Sequence, residues 1–250
     1  MRVFALGVAI GILLAAVRPA GAPDVQGRAA ATVALQSSVV LTQLERGARG
    51  RGFCGGTIVG ADLVLTAFHC VRTTIGESSN KPLGVREYLN KGVVVAARVV
   101  WHRNGVDLAL LRTESPLLGR PAQIVSDLAV GEPVIVVGSP SVLEFSNEFM
   151  LTRGTVGKIE VRMWMNCDGS REPFGSDEHQ VVYIDAHVYY GNSGGGAFND
   201  AGQLMGVLVR GETAEPDTYV ACAGEVLYMG EDLLWAYLVG PEELRKVPKP

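Results

Sequence analysis

A serine surrounded by glycines is the clearest candidate for chemistry in this sequence. Residues 191–196 read Gly-Asn-Ser-Gly-Gly-Gly, so the Ser193 hydroxyl lies among residues with little side-chain bulk. Such a loop can expose the hydroxyl and direct backbone N–H groups toward one point. Amide bond hydrolysis needs that arrangement, because donors such as the N–H groups of Gly191 and Ser193 stabilise the oxyanion that forms. The segment therefore predicts a nucleophile with an oxyanion hole.

The four histidines of the chain decide which order of catalytic residues is possible. A serine hydroxyl is a poor nucleophile until a base such as imidazole accepts its proton. The histidines are His69, His102, His179 and His187. None follows Ser193, which excludes the α/β-hydrolase order with the histidine after the serine. A subtilisin-like order would require alternating strands and helices, which this chain does not show, so the order His, Asp, Ser remains.

His69 and Asp107 fit that order. His69 ends the segment Thr-Ala-Phe-His and is followed by a cysteine that can fix its loop, as a base requires. Asp107 leads into the apolar run Leu-Ala-Leu-Leu, and a buried carboxylate there requires a partner. An imidazole N–H supplies that partner while fixing the tautomer of the ring. We predict Ser193 as nucleophile, His69 as general base and Asp107 as the residue that holds the histidine.

The rest of the chain predicts short β-strands arranged in hairpins. Glycine-punctuated β-rich runs occupy residues 39–44, 53–59, 63–66, 93–101, 108–112, 133–137, 150–163, 181–186 and 203–209. The weakly periodic stretch 117–128 is predicted to link two β units. Helical spacing of apolar residues behind an acidic pair predicts one terminal helix at 231–238. The expected fold class is all-β with a C-terminal helix.

Two of the histidines have ordinary structural interpretations. His102 is expected in the turn region before Asp107, and His179 at the end of a polar, exposed loop at 166–178 where it would be solvated. His187 lies six residues before Ser193 and is considered with specificity below.

The net charge argues against two kinds of partner, and the N-terminus indicates an exported protein. The formal net charge is −4 and no run of lysines or arginines occurs, which argues against nucleic acid or anionic membrane as a partner. Arg2, an apolar run at 3–17 too short to cross a bilayer, and Ala20-Gly21-Ala22 predict a signal peptide at 1–22. An uncleaved anchor or a buried first helix is the alternative. We expect a secreted or periplasmic protein without stable membrane insertion, with β domains at 23–125 and 126–250.

Four cysteines in an exported chain suggest two disulfides. Cys54 and Cys70 flank a predicted strand-turn-strand segment, and Cys167 and Cys222 would form the remaining pair. Four free thiols or a zinc site are the alternatives. No Cys-x-x-Cys spacing occurs, so we expect no metal, and the predicted chemistry requires no cofactor.

Three segments resemble the signature segments of chymotrypsin-like (trypsin-like) serine proteases. They are Thr-Ala-Phe-His-Cys at 66–70, Asp-Leu-Ala-Leu at 107–110 and Gly-Asn-Ser-Gly-Gly at 191–195, and the resemblance extends over roughly 33–238. It implies two antiparallel six-stranded β-barrels, with His69 and Asp107 from the first and Ser193 from the second. Cys54 and Cys70 match a disulfide that this family often places beside its histidine. The implied activity is that of a serine endopeptidase acting on protein or peptide substrates.

The chain departs from the digestive members of that family. Those members pair a newly cut Ile-Val-Gly-Gly-like amino terminus with an aspartate before the serine, whereas this chain has Asn192 and no such start. It is nearer the bacterial and viral Gly-Asn-Ser-Gly-Gly type, and we expect no zymogen cleavage within the mature region. The spacing of Asp185-Ala186-His187, Gly202 and Gly206 is similar to the bacterial Deg/HtrA protease domain, although we expect no PDZ module in this chain.

Specificity is predicted from positions around Ser193. Family members that cleave after Lys or Arg generally have aspartate where this chain has His187, which disfavours a basic P1 residue. The expected pocket wall includes Val207, Val209 and Arg210, which favours an apolar P1 residue. His187 and Arg210 attracting an acidic P1 side chain is the alternative.

Two other functions remain open on the same fold. One is a catalytically silent binding protein, and the other is a serine esterase, which shares the acyl-transfer chemistry. The sequence makes no prediction of oligomeric state.

Overall fold

The computed structural model describes residues 25–43, 52–72, 82–140, 148–162, 177–189, 191–212, 220–222, 225–227 and 235–248. Within these residues the strands form two closed six-stranded antiparallel barrels and one separate hairpin. The predicted all-β class and its two barrels are confirmed.

The first barrel is built from the first six strands of the chain. They are β1 (Ser38–Gln43), β2 (Gly52–Gly60), β3 (Leu63–Ala67), β4 (Leu83–Glu87), β5 (Val95–Arg103) and β6 (Leu108–Thr113). Their order around the barrel is β1-β2-β3-β6-β5-β4. The interior is filled by fully buried side chains such as Leu41, Ile58 and Leu111. Strand β4 was not among the predicted strands.

The second barrel follows a connection at 114–132. Its strands are β7 (Pro133–Gly138), β8 (Met150–Arg162), β9 (His179–Ile184), β10 (Gly196–Phe198), β11 (Leu204–Glu212) and β14 (Trp235–Val239). Their order is β10-β11-β14-β9-β8-β7. Strands β12 (Val220–Cys222) and β13 (Glu225–Leu227) form the separate hairpin. The domain boundary expected at residue 125 falls within the connection and stays a prediction.

The described structure also contains three α-helices, α1 (Val25–Gln36), the single turn α2 (Phe68–Val71) and α3 (Pro241–Leu244), and two 3-10 turns, Tyr88–Asn90 and Asn104–Val106. Helix α1 was not predicted, although its alanine-rich sequence has high helix propensity. Ala30 and Ala34 are buried in an apolar cluster that includes residues of both barrels. A Cβ on Gly202, in the second barrel, would overlap Val33. Helix α1 therefore packs against both barrels.

The helix predicted at 231–238 is wrong for its described part. Residues from Trp235 onward form β14, which pairs with β11 on one side and β9 on the other. Leu238 and Val239 are fully buried. A strand covered on both faces is a continuous apolar run, and such a run can imitate helical spacing. The short helix α3 begins only after this strand, with Pro241 at its first position.

Several predictions lie outside the described residues: the signal peptide at 1–22, the loop residues 166–176 and Cys167. None of the helices in the described part of the chain is both long enough and apolar enough to cross a membrane.

Candidate active site

Paired strands of the first barrel bring His69 and Asp107 together. Ala67, the last residue of β3, pairs with Leu108, the first residue of β6. His69 therefore lies just beyond the end of one strand and Asp107 just before the start of its neighbour. The Phe68 N–H donates to the Asp107 carbonyl at 3.0 Å and joins the two chain segments at this point.

The Asp107 carboxylate receives two hydrogen bonds from His69. Its Oδ1 accepts from the His69 backbone N–H at 2.8 Å, and its Oδ2 lies 2.7 Å from His69 Nδ1. Asp107 is 5% exposed and has a left-handed backbone conformation with φ of 55°. Because an ionised carboxylate only accepts, Nδ1 carries the proton and Nε2 keeps a lone pair. This is the tautomer that a general base at Nε2 requires.

The Ser193 loop contacts the first barrel directly. The Gly55 N–H of β2 donates to the Ser193 carbonyl at 2.8 Å, and the Thr66 hydroxyl donates to the Gly55 carbonyl at 2.8 Å. Gly194 has φ of 81°, and a Cβ there would overlap the Gly55 carbonyl and the Thr66 hydroxyl. Sequence reasoning did not single out Gly55 or Thr66. The Gly-Gly pair after Cys54 was the available signal of a close backbone approach.

Two of the three predicted catalytic residues, His69 and Ser193, lie close to one sulfur atom. Cys70 Sγ lies 3.7 Å from His69 Nε2 and 3.7 Å from the Ser193 carbonyl oxygen. In the described part of the chain no hydrogen bond joins the Ser193 hydroxyl to His69. Nucleophile–base hydrogen bonds are often long or absent in ligand-free sites and tighten on substrate binding. Ser193 is partly exposed, as a nucleophile must be.

Two backbone N–H groups of the Ser193 loop have no acceptor in the part of the chain that the structure describes. Gly191 has φ of 95°, and the turn is closed by Asn192 N–H to Tyr189 carbonyl at 3.0 Å and Gly195 N–H to Asn192 carbonyl at 2.9 Å. The N–H groups of Gly191 and Ser193 donate to no other described residue. An oxyanion hole requires N–H groups fixed in this way beside the serine that attacks.

Asn192 is held in the interior of the second barrel. It is 2% exposed, and a Cβ on Gly138 of β7 would overlap its side-chain amide. Its Oδ1 has no hydrogen-bond partner among the described residues. Burying a neutral amide oxygen in this way costs about 1–3 kcal/mol, far less than burying an unpaired carboxylate. The site thus accommodates the neutral residue without a cationic partner.

Cys54 and Cys70 lie at disulfide-bonding distance, with Cα atoms 6.2 Å apart. Sulfur atoms joined to each other cannot act as thiolate ligands for zinc, even though His69 is close to both. The pairing of Cys167 with Cys222 lies outside the described residues and side chains.

The predicted specificity residues are spread over two segments. His187 is exposed, whereas Val207 is fully buried and Val209 is 7% exposed. Val209 stands at a bulge between Leu208 and Arg210, where β11 pairs with β14. Their assignment to a substrate pocket stays a prediction.

The prediction that His179 is solvated is wrong. It begins β9 and is 1% exposed, with Nδ1 2.8 Å from the Asp177 carbonyl. Because a carbonyl only accepts, Nδ1 carries the proton, and Nε2 has no partner among the described residues. Burial lowers the pKa of His179, opposed by the hydrogen bond to Asp177 and the negative charge of Glu243.

His102 lies in β5 rather than in a turn. Its ring stacks on Phe68 with centroids 4.6 Å apart, and Nδ1 is 3.0 Å from Asn104 Oδ1. It therefore covers the residue that precedes His69.

The chain belongs to the family of trypsin-like peptidase domains. Residues 52–207, more than half of the chain, match the model of that family. This range contains His69, Asp107 and Ser193, whereas Val209 and Arg210 lie just beyond it.

Curated relatives agree with that family. The chain is 27% identical over 183 residues to "Serine protease Do-like HtrA" of Lactococcus lactis subsp. cremoris, over 72% of this chain and 42% of that protein. It is 30% identical over 172 residues to "Protease Do-like 2, chloroplastic" of Arabidopsis thaliana, over 65% of this chain and 25% of that protein. The chain thus spans less than half the length of either relative.

A solved structure shares the fold. The active form of the Rv3671c protease from M. tuberculosis superposes with a TM-score of 0.64 at 20% identity, covering 90% of this chain and 85% of that chain. At this identity the likeness shows the two-barrel fold.

Proposed function

We propose that this protein is a serine endopeptidase that uses His69, Asp107 and Ser193. One observation carries the proposal: the Ser193 loop of the second barrel and His69 of the first meet at Cys70 Sγ, while Asp107 binds His69 from the other side. A nucleophile, a base and an orienting carboxylate are the three roles that peptide hydrolysis requires. The HtrA-like names of the curated relatives support the same activity.

In the proposed mechanism Ser193 Oγ attacks the carbonyl carbon of the scissile bond. His69 Nε2 accepts the hydroxyl proton, and the carbonyl π electrons move to oxygen, where the N–H groups of Gly191 and Ser193 stabilise the negative charge. Collapse of this intermediate breaks the C–N bond, and His69 gives its proton to the leaving amine. Water, activated by the same imidazole, then hydrolyses the acyl-enzyme and regenerates Ser193.

Asp107 acts on His69 and not on the substrate. Its contact at Nδ1 keeps the proton on that nitrogen and stabilises the imidazolium formed during the attack. The substrate is a protein or peptide, and no metal or cofactor takes part in the proposed steps.

We propose export into an oxidising compartment, secreted or periplasmic, after removal of residues 1–22. The adjacent Cys54 and Cys70 sulfurs support this, because disulfides persist where thiols are oxidised. We further propose that no cleavage within the mature region is needed for activity. The support is Asn192, which is buried as a neutral residue and requires no new terminal amine.

We propose an apolar P1 preference, with basic P1 residues disfavoured. His187 lies six residues before Ser193, where basic-specific members carry an aspartate, and its side chain is exposed. A peptide library varied at P1 tests this: alanyl, valyl and leucyl substrates should exceed lysyl and arginyl ones. Faster cleavage after Glu or Asp than after Ala would instead indicate that His187 and Arg210 bind an acidic side chain.

The activity is tested by peptide hydrolysis with wild type, Ser193→Ala and His69→Ala. We expect wild-type turnover and a loss of about 10³-fold or more in both variants, because the triad residues act as a unit. A wild type that binds peptides but does not cleave them would favour a silent binding protein. Hydrolysis of esters but not of peptides would favour an esterase.

A further inference from the structure

Asp107 follows a turn that the second barrel contacts directly. The 3-10 turn Asn104–Val106 connects β5 to Asp107, whose N–H donates to the Asn104 carbonyl at 2.9 Å. The Asp177 N–H, just before β9, donates to the Gly105 carbonyl at 2.8 Å. A Cβ on Gly105 would overlap the Asp177 carboxyl group. The backbones of the two barrels therefore meet two residues before Asp107.

Arg103 adds a side-chain connection at the same point. Its Nε and one terminal nitrogen lie 3.1 and 2.9 Å from Asp177 Oδ2, and the other terminal nitrogen lies 3.3 Å from Glu243 Oε2. Glu243 belongs to α3, is 4% exposed and also accepts from Lys246 at 2.7 Å. A buried carboxylate needs cationic partners, so Glu243 fixes where the Arg103 guanidinium lies.

His179 holds Asp177 from the side of the second barrel. Its Nδ1–H donates to the Asp177 carbonyl, and the buried ring has little freedom to move. Arg103 is the last residue of β5, and its side chain thus binds Asp177, whose backbone is held by His179 of β9.

We propose, on the basis of the proposed function, that Arg103 is a positioning residue that holds Asp107 by clamping the Asn104–Val106 turn to Asp177 and Glu243. Asp107 has a left-handed backbone and must direct both carboxylate oxygens at His69. Such an orientation depends on the turn before it. A displacement of about 1 Å in a catalytic group can cost as much as 100-fold in rate.

The ion pair between Arg103 and Asp177 contributes little to stability, and the buried Glu243 keeps Lys246 as a cationic partner at 2.7 Å when Arg103 is replaced. The side chains of Arg103 and Asp177 are each 42% exposed, and ion pairs at that exposure are weak. The clamp therefore predicts a loss of turnover without a matching loss of stability, which separates positioning from a general structural role.

The test compares Arg103→Met with Arg112→Met. Arg112 forms an ion pair with Asp62 at 3.3 Å, both side chains are 38% exposed, and the pair lies entirely within the first barrel. We expect R103M to lower kcat by about tenfold with KM changed less than about twofold, whereas R112M leaves both within about twofold. Both variants should keep the melting temperature within about 4 °C of wild type.

Two further variants test the partner of Arg103 and the dependence of its effect on Asp107. Asp177→Asn keeps the N–H donor and the shape of the side chain but removes the charge, and it should lower kcat in the same direction. In a protein that already carries Asp107→Asn, adding R103M should change kcat by less than about twofold. Arg103 is proposed to act through Asp107, which no longer functions in that protein.

The proposal is overturned if R103M retains wild-type kcat, or if its tenfold loss persists in the Asp107→Asn background. An inactive wild type would overturn the proposed function and this role with it. An active wild type with an unaffected R103M would overturn the role of Arg103 alone.

Discussion

Asp107 binds His69 at two separate atoms, the backbone N–H at 2.8 Å and Nδ1 at 2.7 Å. The hydrogen bond from the His69 backbone N–H does not depend on the orientation of the imidazole, so it holds the carboxylate in place for any orientation of the ring. Together with the pairing of Ala67 and Leu108, this makes the relative position of the two side chains a consequence of strand register. The first barrel therefore supplies both the base and its orienting group, and the second barrel contacts the turn that precedes Asp107.

Asp107→Asn should lower kcat by about 10⁴-fold with a small effect on KM, because the amide can donate to Nδ1 and favour the wrong tautomer. Steady-state kinetics on a peptide substrate measure this. Asp127→Asn, at an exposed loop position, is the matched control and should keep wild-type kinetics. D107N retaining more than a tenth of the wild-type kcat would contradict the role of Asp107.

Gly194→Ala should destabilise the fold and abolish activity. The backbone at φ of 81° is unfavourable for alanine, and the Cβ would overlap the Gly55 carbonyl. The combined strain and overpacking amount to roughly 2–5 kcal/mol in the free energy of unfolding. Gly131→Ala is the control, because Gly131 has φ of 91° but no atom within 4 Å of the added Cβ.

For Gly131→Ala only the backbone strain remains, so we expect about 1–2 kcal/mol and full activity. Urea unfolding of both variants provides the measurement. Equal losses of stability would mean that the contact with β2 does not constrain the Ser193 loop.

Removing the Cys54–Cys70 pair should destabilise the protein. The two cysteines are 16 residues apart, and closing a loop of that length stabilises the folded state by about 3 kcal/mol. The variant Cys54→Ala/Cys70→Ala should melt at a lower temperature and lose activity, because Cys70 Sγ touches both His69 and Ser193. A melting temperature of the wild type that is insensitive to reductant would count against the bond.

Stability should fall in acid partly because of His179. Burial lowers its pKa from the ordinary 6.5, so above that value the residue is neutral in both the folded and the unfolded chain. Below it the unfolded chain takes up a proton that the folded chain does not, and the free energy of unfolding decreases as the pH falls. His179→Gln, which can still donate to the Asp177 carbonyl, should reduce this acid destabilisation.

The check is the melting temperature between about pH 7.5 and 5.5, where the unfolded histidine titrates. Parallel curves for wild type and H179Q would show that His179 does not contribute.

Much of the fold was predictable because the strands carry local signals. Runs such as Leu63–Ala67 and Leu108–Thr113 are apolar, β-rich and bounded by turn residues, and the structure places strands there. The order of His69, Asp107 and Ser193 along the chain restricted the possible catalytic arrangements, and strand register then placed the first two in contact.

The errors arose where burial overrides local pattern. Residues 236–239 of strand β14 are all buried, so they lack the alternation of buried and exposed residues that distinguishes a strand from a helix. Strand β10 consists of three residues at the end of the glycine-rich loop and has no pattern of its own. The burial of His179 follows from its pairing in β9 beneath α3, which depends on contacts distant in sequence.

The roles of Arg103 and Gly55 could not be predicted from the sequence, for a related reason. Each acts by touching the other barrel, Arg103 at Asp177 and Gly55 at the Ser193 carbonyl. Inter-barrel contacts leave no periodicity in the sequence, so only the assembled structure indicates them.

Covalent labelling with an organophosphonate probe tests whether Ser193 is an activated nucleophile. Wild-type protein should take up one phosphonate group per chain, located on Ser193 by mass spectrometry, and Ser193→Ala should take up none. A wild type without a Ser193 adduct, or labelling that persists in Ser193→Ala, would show that Ser193 is not the nucleophile.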